Sequence, residues 1–119
     1  MAKDVSDENV LLRDAAGLLR RGSHAEAARL LQSLLKRQPR NPDALQLLGL
    51  AQKHLGELDN AQRSMMASLA LYPTQPHVLN ILGGLFLRLN QHHNARQCFQ
   101  KALEFDSANK DALRNLALA

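Results

Sequence analysis

Leu45-Gln46-Leu47-Leu48-Gly49 and Leu79-Asn80-Ile81-Leu82-Gly83 carry one phrase, Leu-x2-Leu-Gly, whose start moves from Leu45 to Leu79. The same shift carries Ala27 to Ala61 and Ala95, Pro39 to Pro73, and Leu11 to Leu45, Leu79 and Leu113. It carries Gly22 to Gly56 and then to Asn90, another residue that tolerates the left-handed backbone region. Independent columns agreeing on one period identify an internal repeat. Counted from Glu8, the 119 residues divide into a lead (1–7), units at 8–41, 42–75 and 76–109, and residues 110–119 as the first part of a fourth unit or a terminal capping helix.

Each unit reads as two helices. In the second, Asn41 suits an N-cap and Pro42 the first helical position, where its missing N–H costs nothing. Leu45, Leu48, Ala51, Gln52 and Leu55 follow helical spacing, and Gly56 can close that helix at C′. A second helix is expected from about Asp59 to Tyr72, ended by Pro73. Ser23-His24-Ala25-Glu26 has the spacing of a capping box, and Asn109 is the expected cap of the last helix. No β-branched alternating segment interrupts the pattern, so the predicted class is all-α.

These columns resemble the tetratricopeptide repeat family, whose pattern is W-x2-L-G-x2-Y, then A-x3-F, then P over about 34 residues. The third unit matches as Leu79-x2-Leu82-Gly83-x2-Phe86 and Ala95-x3-Phe99, with Ser107 in the proline column. The second matches as Leu45-x2-Leu48-Gly49-x2-Gln52, Ala61-x3-Met65 and Pro73. The first has Leu11-x2-Asp14-Ala15-x2-Leu18, then Ala27-x3-Leu31 and Pro39, with Asp14 where an apolar residue is usual. The resemblance implies a right-handed α-solenoid of antiparallel helix pairs, in which Gly49, Gly83, Ala61 and Ala95 permit close helix approach and stacked units share a core.

The resemblance further implies that first helices line a concave groove where a partner binds. From the first unit it places Leu12, Arg13, Leu19 and Arg20 there, with Asn9 and Ala16. The second unit contributes Leu47, Leu50, Lys53 and His54, with Asp43 and Gln46. The third contributes His77, Asn80, Ile81, Leu87 and Arg88, with Gly84; Arg114 follows on the last helix, with Asp111, Asn115 and Leu118. The helix Val78–Leu89 is apolar nearly all round, a pattern usual for helices covered on every side. The expected partner is a protein or peptide, extended or helical, with acidic flanks meeting Arg13, Arg20, Lys53 and Arg88. Two familiar versions of the groove are absent. The basic clamp of chaperone-binding members is replaced by Leu12, Ala16, Leu47, His77 and Ile81. The asparagine ladder of the repeats on O-linked N-acetylglucosamine transferases is replaced by Arg13, Leu47, Ile81 and Asn115.

Composition narrows the remaining classes. Hydrophobic residues are 45% and charged residues 22%, ordinary globular values, while aromatics are 3% with no Trp, so the core must be built mainly of Leu and Ala. Net charge is +4, but residues 1–19 are −2, 104–119 are −1 and 20–103 are +7, with no carboxylate from Asn60 to Leu103. That basic body suits acidic partners; nucleic acid is disfavoured because aromatics are not interleaved with the cations. One cysteine, Cys98, excludes an intrachain disulfide, and a partly buried inert thiol is expected. His92-His93 falls in the bend between helices, without the i, i+4 spacing and nearby carboxylate of a metal pair. No phosphate-binding loop or nucleophile motif occurs. The expectation is a non-catalytic scaffold with no cofactor and no metal, away from membranes and cytoplasmic. Its alternatives are a self-associating homo-oligomer, or the N-terminal repeats of a larger bacterial enzyme of sulfotransferase, glycosyltransferase or hydroxylase type.

Overall fold

In the computed structural model, which describes residues 5–106 and 113–116, six helices follow in order: α1 (Val5–Arg20), α2 (His24–Arg37), α3 (Pro42–His54), α4 (Leu58–Leu71), α5 (Pro76–Arg88) and α6 (His92–Phe105). Residues 113–116 are also helical, and no strand occurs among the described residues. The second helices start at His24, Leu58 and His92, one repeat period apart, and are of equal length. α1 begins at Val5, inside the stretch expected to be a lead. The expectations for Ser107, the Asn109 cap, Asp111 and Leu118, and for residues 1–4, lie outside the described residues.

Local chemistry sets the helix ends. Asn41 Oδ1 accepts the Ala44 N–H at 3.0 Å, and Pro42 opens α3. The three hairpin turns share one device: Gly22, Gly56 and Asn90 have φ of 83°, 81° and 61°. Each donates its N–H three residues back, to Leu19, Lys53 and Leu87, while Ser23, Glu57 and Gln91 donate to Leu18, Gln52 and Phe86 at 2.8–2.9 Å. This is the Schellman arrangement, which needs a left-handed residue at C′. It overturns the capping box expected at Ser23. Closing α1 holds Ser23 at ψ 63°, and its side chain makes no cap hydrogen bond.

Helices of 13–16 residues are about 20–24 Å long, so the 50 Å length of the 50 × 27 × 21 Å molecule comes from stacking them side by side. Where helices of a hairpin cross, a small residue on the first meets a large one on the second. An added Cβ at Gly49 would lie 2.9 Å from Met65 Cε, and at Gly83 2.4 Å from Phe99 Cε1. The same register positions in the first hairpin are Ala15 and Leu31, both fully buried. Asp14, in the column of buried Leu48 and Leu82, is exposed at the outer end of the stack, which spares its carboxylate from desolvation. Leu45, in the column of buried Leu79, is only half-buried.

The apolar core is in two parts. One gathers Ala15, Ala28, Leu31, Leu34, Ala44, Leu48 and Ala51 from α1–α3; the other draws Ala61 and Met65 of α4 together with the apolar faces of α5 and α6. Between them runs a polar seam. Ser64 Oγ donates to Gln52 Oε1 at 2.7 Å, Ser68 Oγ donates to the Pro42 carbonyl at 2.8 Å, and Gln75 Nε2 donates to the Ser68 and Tyr72 carbonyls. The described residues contain four buried polar side chains, Gln52, Ser64, Ser68 and Gln75, and all four belong to this middle unit.

Candidate partner-binding surface

The first helices present a row of incompletely covered aliphatic side chains. Leu12 and Leu19 on α1 and Leu47 on α3 are half-buried and rest on the α1–α3 core. Leu50 on α3, with Ile81 and Leu87 on α5, is likewise half-buried and rests on the α4–α6 core. Each has one side held by the fold and another open to solvent, so its rotamer is restrained before anything binds. On the apolar helix of the third unit, Val78, Leu79, Leu82, Leu85 and Phe86 are covered by the fold, while Ile81, Leu87 and Leu89 are left half-buried.

The polar and charged residues expected beside this row differ in exposure. Arg13, Arg20, His54, His77, Arg88 and Arg114 are exposed, while Lys53 and Asn80 are half-buried. Arg20, His54 and Arg88 occupy one column of the repeat register. His54 is not an isolated member of it. Its ring stacks on His24, the first residue of α2, at a centroid distance of 4.4 Å and an interplanar angle of 9°. Burial, and then the nearby His24 and Lys53, holds the His54 pKa below its ordinary 6.5, so the ring is neutral at pH 7 and lends no charge to that column. Nothing in the repeat register signals the stack, because the two histidines fall in different units and different columns.

Other reactive groups are placed as follows. His92 and His93 form the first turn of α6, both exposed, rather than the bend before it. Cys98 is 9% exposed, and burial pushes its thiol up to about 11 against the opposing pull of Lys101, leaving it protonated and poorly nucleophilic at neutral pH. Among the described residues no group of three or more His, Cys, Asp or Glu could hold a metal ion, and no helix is long and apolar enough to cross a membrane.

Comparison with known proteins agrees with this architecture. A family profile described as tetratricopeptide repeat matches residues 18–85, and a second with the same description matches 76–109. The chain belongs to the tetratricopeptide repeat family. Among curated proteins, this tetratricopeptide repeat chain is 24% identical over 110 residues to an N-terminal acetyltransferase A complex subunit-like protein of Schizosaccharomyces pombe. The match covers 92% of this chain and 16% of that protein, so the chain spans about a sixth of its relative's length. Among solved structures, the first TPR of Spaghetti (RPAP3) bound to the HSP90 peptide SRMEEVD aligns with a TM-score of 0.91 at 19% identity, over 97% of this chain and 91% of that one. The Yersinia enterocolitica type III secretion translocator chaperone SycD aligns with a TM-score of 0.88 at 15% identity, over 97% and 92%. At such identities the likeness is one of fold: a tetratricopeptide repeat solenoid.

Proposed function

We propose that this chain is a protein-interaction scaffold that holds a peptide or helix against its first helices. The observation that carries the reading is the row of half-buried aliphatics, Leu12, Leu19, Leu47, Leu50, Ile81 and Leu87, restrained from below and open above. Covering such side chains yields the apolar term of binding, about 25 cal/mol per Å² buried, at little further cost in rotamer entropy. The similarly folded Spaghetti repeat holds an acidic peptide. Here the floor is aliphatic, so the ligand is an apolar segment with acidic residues at its flanks, which meet Arg13, Arg20, Lys53 and Arg88, rather than a clamped C-terminal carboxylate.

The test is affinity capture from native extract with the wild-type chain beside Leu50→Glu and Leu87→Glu. Both positions are half-buried at the surface, so a new carboxylate there can reach water while opposing an apolar, acid-flanked ligand. Loss of the captured partner in both variants, with helicity retained, is the expected result. Undiminished capture by both would refute the assignment.

A further inference from the structure

The α1–α2 hairpin is tied to α3 at both ends of the α2–α3 seam, and the two ties differ in kind. Where the chain passes from α2 to α3, Gln38 Nε2 donates to Glu8 Oε2 on α1, and Asn41 Nδ2 donates to Gln38 Oε1 at 3.0 Å. Asn41 Oδ1 in turn caps α3. α2 and α3 run antiparallel, so the opposite end of the seam lies about 20 Å along the helices, where no loop joins them. There the first residue of α2, His24, stacks on the last of α3, His54, with ring centroids 4.4 Å apart. At the corresponding place between α4 and α5 the residues are Leu58 and Arg88, so the imidazole pair is a property of this junction and not of the repeat.

The stack accommodates neutral rings and resists a charge. His24 Nδ1 is buried with no hydrogen-bond partner. An imidazolium carries a donor on both nitrogens, and at that one it would face no acceptor. Burial first, then His24 and Lys53, keeps His54 neutral at pH 7. The other charges on the elements that meet here are mixed in sign. Glu26 and Arg29 on α2 line the hollow of about 340 Å³ beside His24. Arg20 and Arg21 end α1, and Glu57 and Asp59 open α4. The two helix ends also offset one another, since α2 presents its positive end and α3 its negative one. What distinguishes the closed stack is the cover each ring gives the other, and that is lost when the rings part.

We propose that the His24–His54 stack is a proton-operated latch between the first and second repeats: an imidazole nitrogen of the pair takes a proton from solvent, the rings part, and the α1–α2 hairpin comes away from α3 about the Gln38–Asn41 loop. Acid drives the opening. The parted His54 ring binds its proton at the ordinary 6.5 and the stacked ring only below it, so the latch is fully closed above 6.5 and opens as pH falls through the stacked value. The core along this seam includes Ala28, Ala44 and Ala51, whose small side chains hold the hairpin less firmly than leucines would. Release parts Leu12 and Leu19 of α1 from Leu47 and Leu50 of α3. As a control on partner binding the latch therefore rests on the function proposed above; as a conformational device it does not.

The test is amide hydrogen exchange on the full chain labelled with nitrogen-15, followed residue by residue at pH 7.5 and 5.5 and expressed as protection factors. A helix pair cannot bury its apolar face alone, so the amides of a released hairpin exchange. Between the two pH values, protection in α1 and α2 is expected to fall about threefold or more relative to α5 and α6. His24→Gln and His54→Gln are each expected to abolish that difference, and His93→Gln, at an exposed site on α6, to preserve it. The wild-type chain gives a further reading, since the ring-proton shift of His54 should titrate below 6.5. A fall shared equally by all six helices, a fall that survives both glutamine variants at the stack, or a His54 ring titrating at or above 6.5 would each overturn the proposal. No ligand enters the experiment, so the latch and the first-helix surface can fail separately.

Discussion

Where its two helices cross, the middle hairpin sets Gly49 against Met65, and the third sets Gly83 against Phe99. Beside the crossing the middle hairpin has Gln52 hydrogen-bonded to Ser64, and the third has Phe86 and Cys98 in the same register. Both hairpins pack α-helix on α-helix at the same repeat period. Backbone geometry is therefore indifferent to whether the seam is polar or apolar, provided that each buried polar atom finds its partner and each volume its complement. The consequences differ. A thioether can swing aside where a phenyl ring cannot, and a hydrogen-bonded pair fails when either member is lost, whereas an apolar pair fails in proportion to what is removed.

The largest difference is expected at the crossing glycines. Alanine gains about 0.8–1.0 kcal/mol over glycine from helix propensity, but at Gly83 the new methyl would collide with the rigid Phe99 ring. Overpacking of that kind costs about 1–3 kcal/mol or more, so Gly83→Ala should lose about 2 kcal/mol in urea denaturation. At Gly49 the obstacle is mainly the far end of Met65, and Gly49→Ala should stay within about 1 kcal/mol of wild type. Equal losses at both would remove the distinction between a flexible and a rigid partner.

Next comes the polar seam. Ser64→Ala strands Gln52 Oε1 in a buried site and should cost about 1–2 kcal/mol, whereas Gln52→Leu with Ser64→Ala should recover most of that loss because neither group is left unpaired. A double variant no better than the single would mean that the seam contributes through shape rather than satisfaction. Smaller again is Gly84→Ala. Nothing lies within 4 Å of the added Cβ, so this neighbour of Gly83 should gain about 0.8 kcal/mol from propensity alone.

The smallest effect is the pH response at the His24–His54 stack. The folded-state pKa of His54 is depressed, so the unfolded chain binds the proton more readily. Its stabilisation is fully present above the ordinary value of 6.5 and is lost as pH falls through the lower folded value. Denaturation midpoints should decline from neutral toward acid pH, and His54→Gln should flatten part of that decline. The next pair in that register is Leu58 and Arg88, so the stack of imidazoles belongs to the first turn alone. A wild-type decline unaltered in the variant would assign the effect to other groups.

Much of this was legible from residue order alone. The left-handed column of Gly22, Gly56 and Asn90, the Asn41 cap and the crossing glycines all depend on neighbours within one hairpin, where spacing and residue size dictate geometry. The failed capping box at Ser23 shows the limit of that reading. Its spacing was right, but closing the preceding helix held its backbone away from the capping conformation. Gln52 and Ser64 are polar residues in columns otherwise apolar, and only their approach across α3 and α4 makes each the other's partner.

Residue order thus settled the helices, their turns and their period, because those follow from steric and hydrogen-bonding rules acting over a few residues. The stacked histidines and the division of the core belong to the tertiary structure. They arise where side chains remote in the chain compete for the same space, and the order of residues does not specify who wins that competition until the helices are stacked.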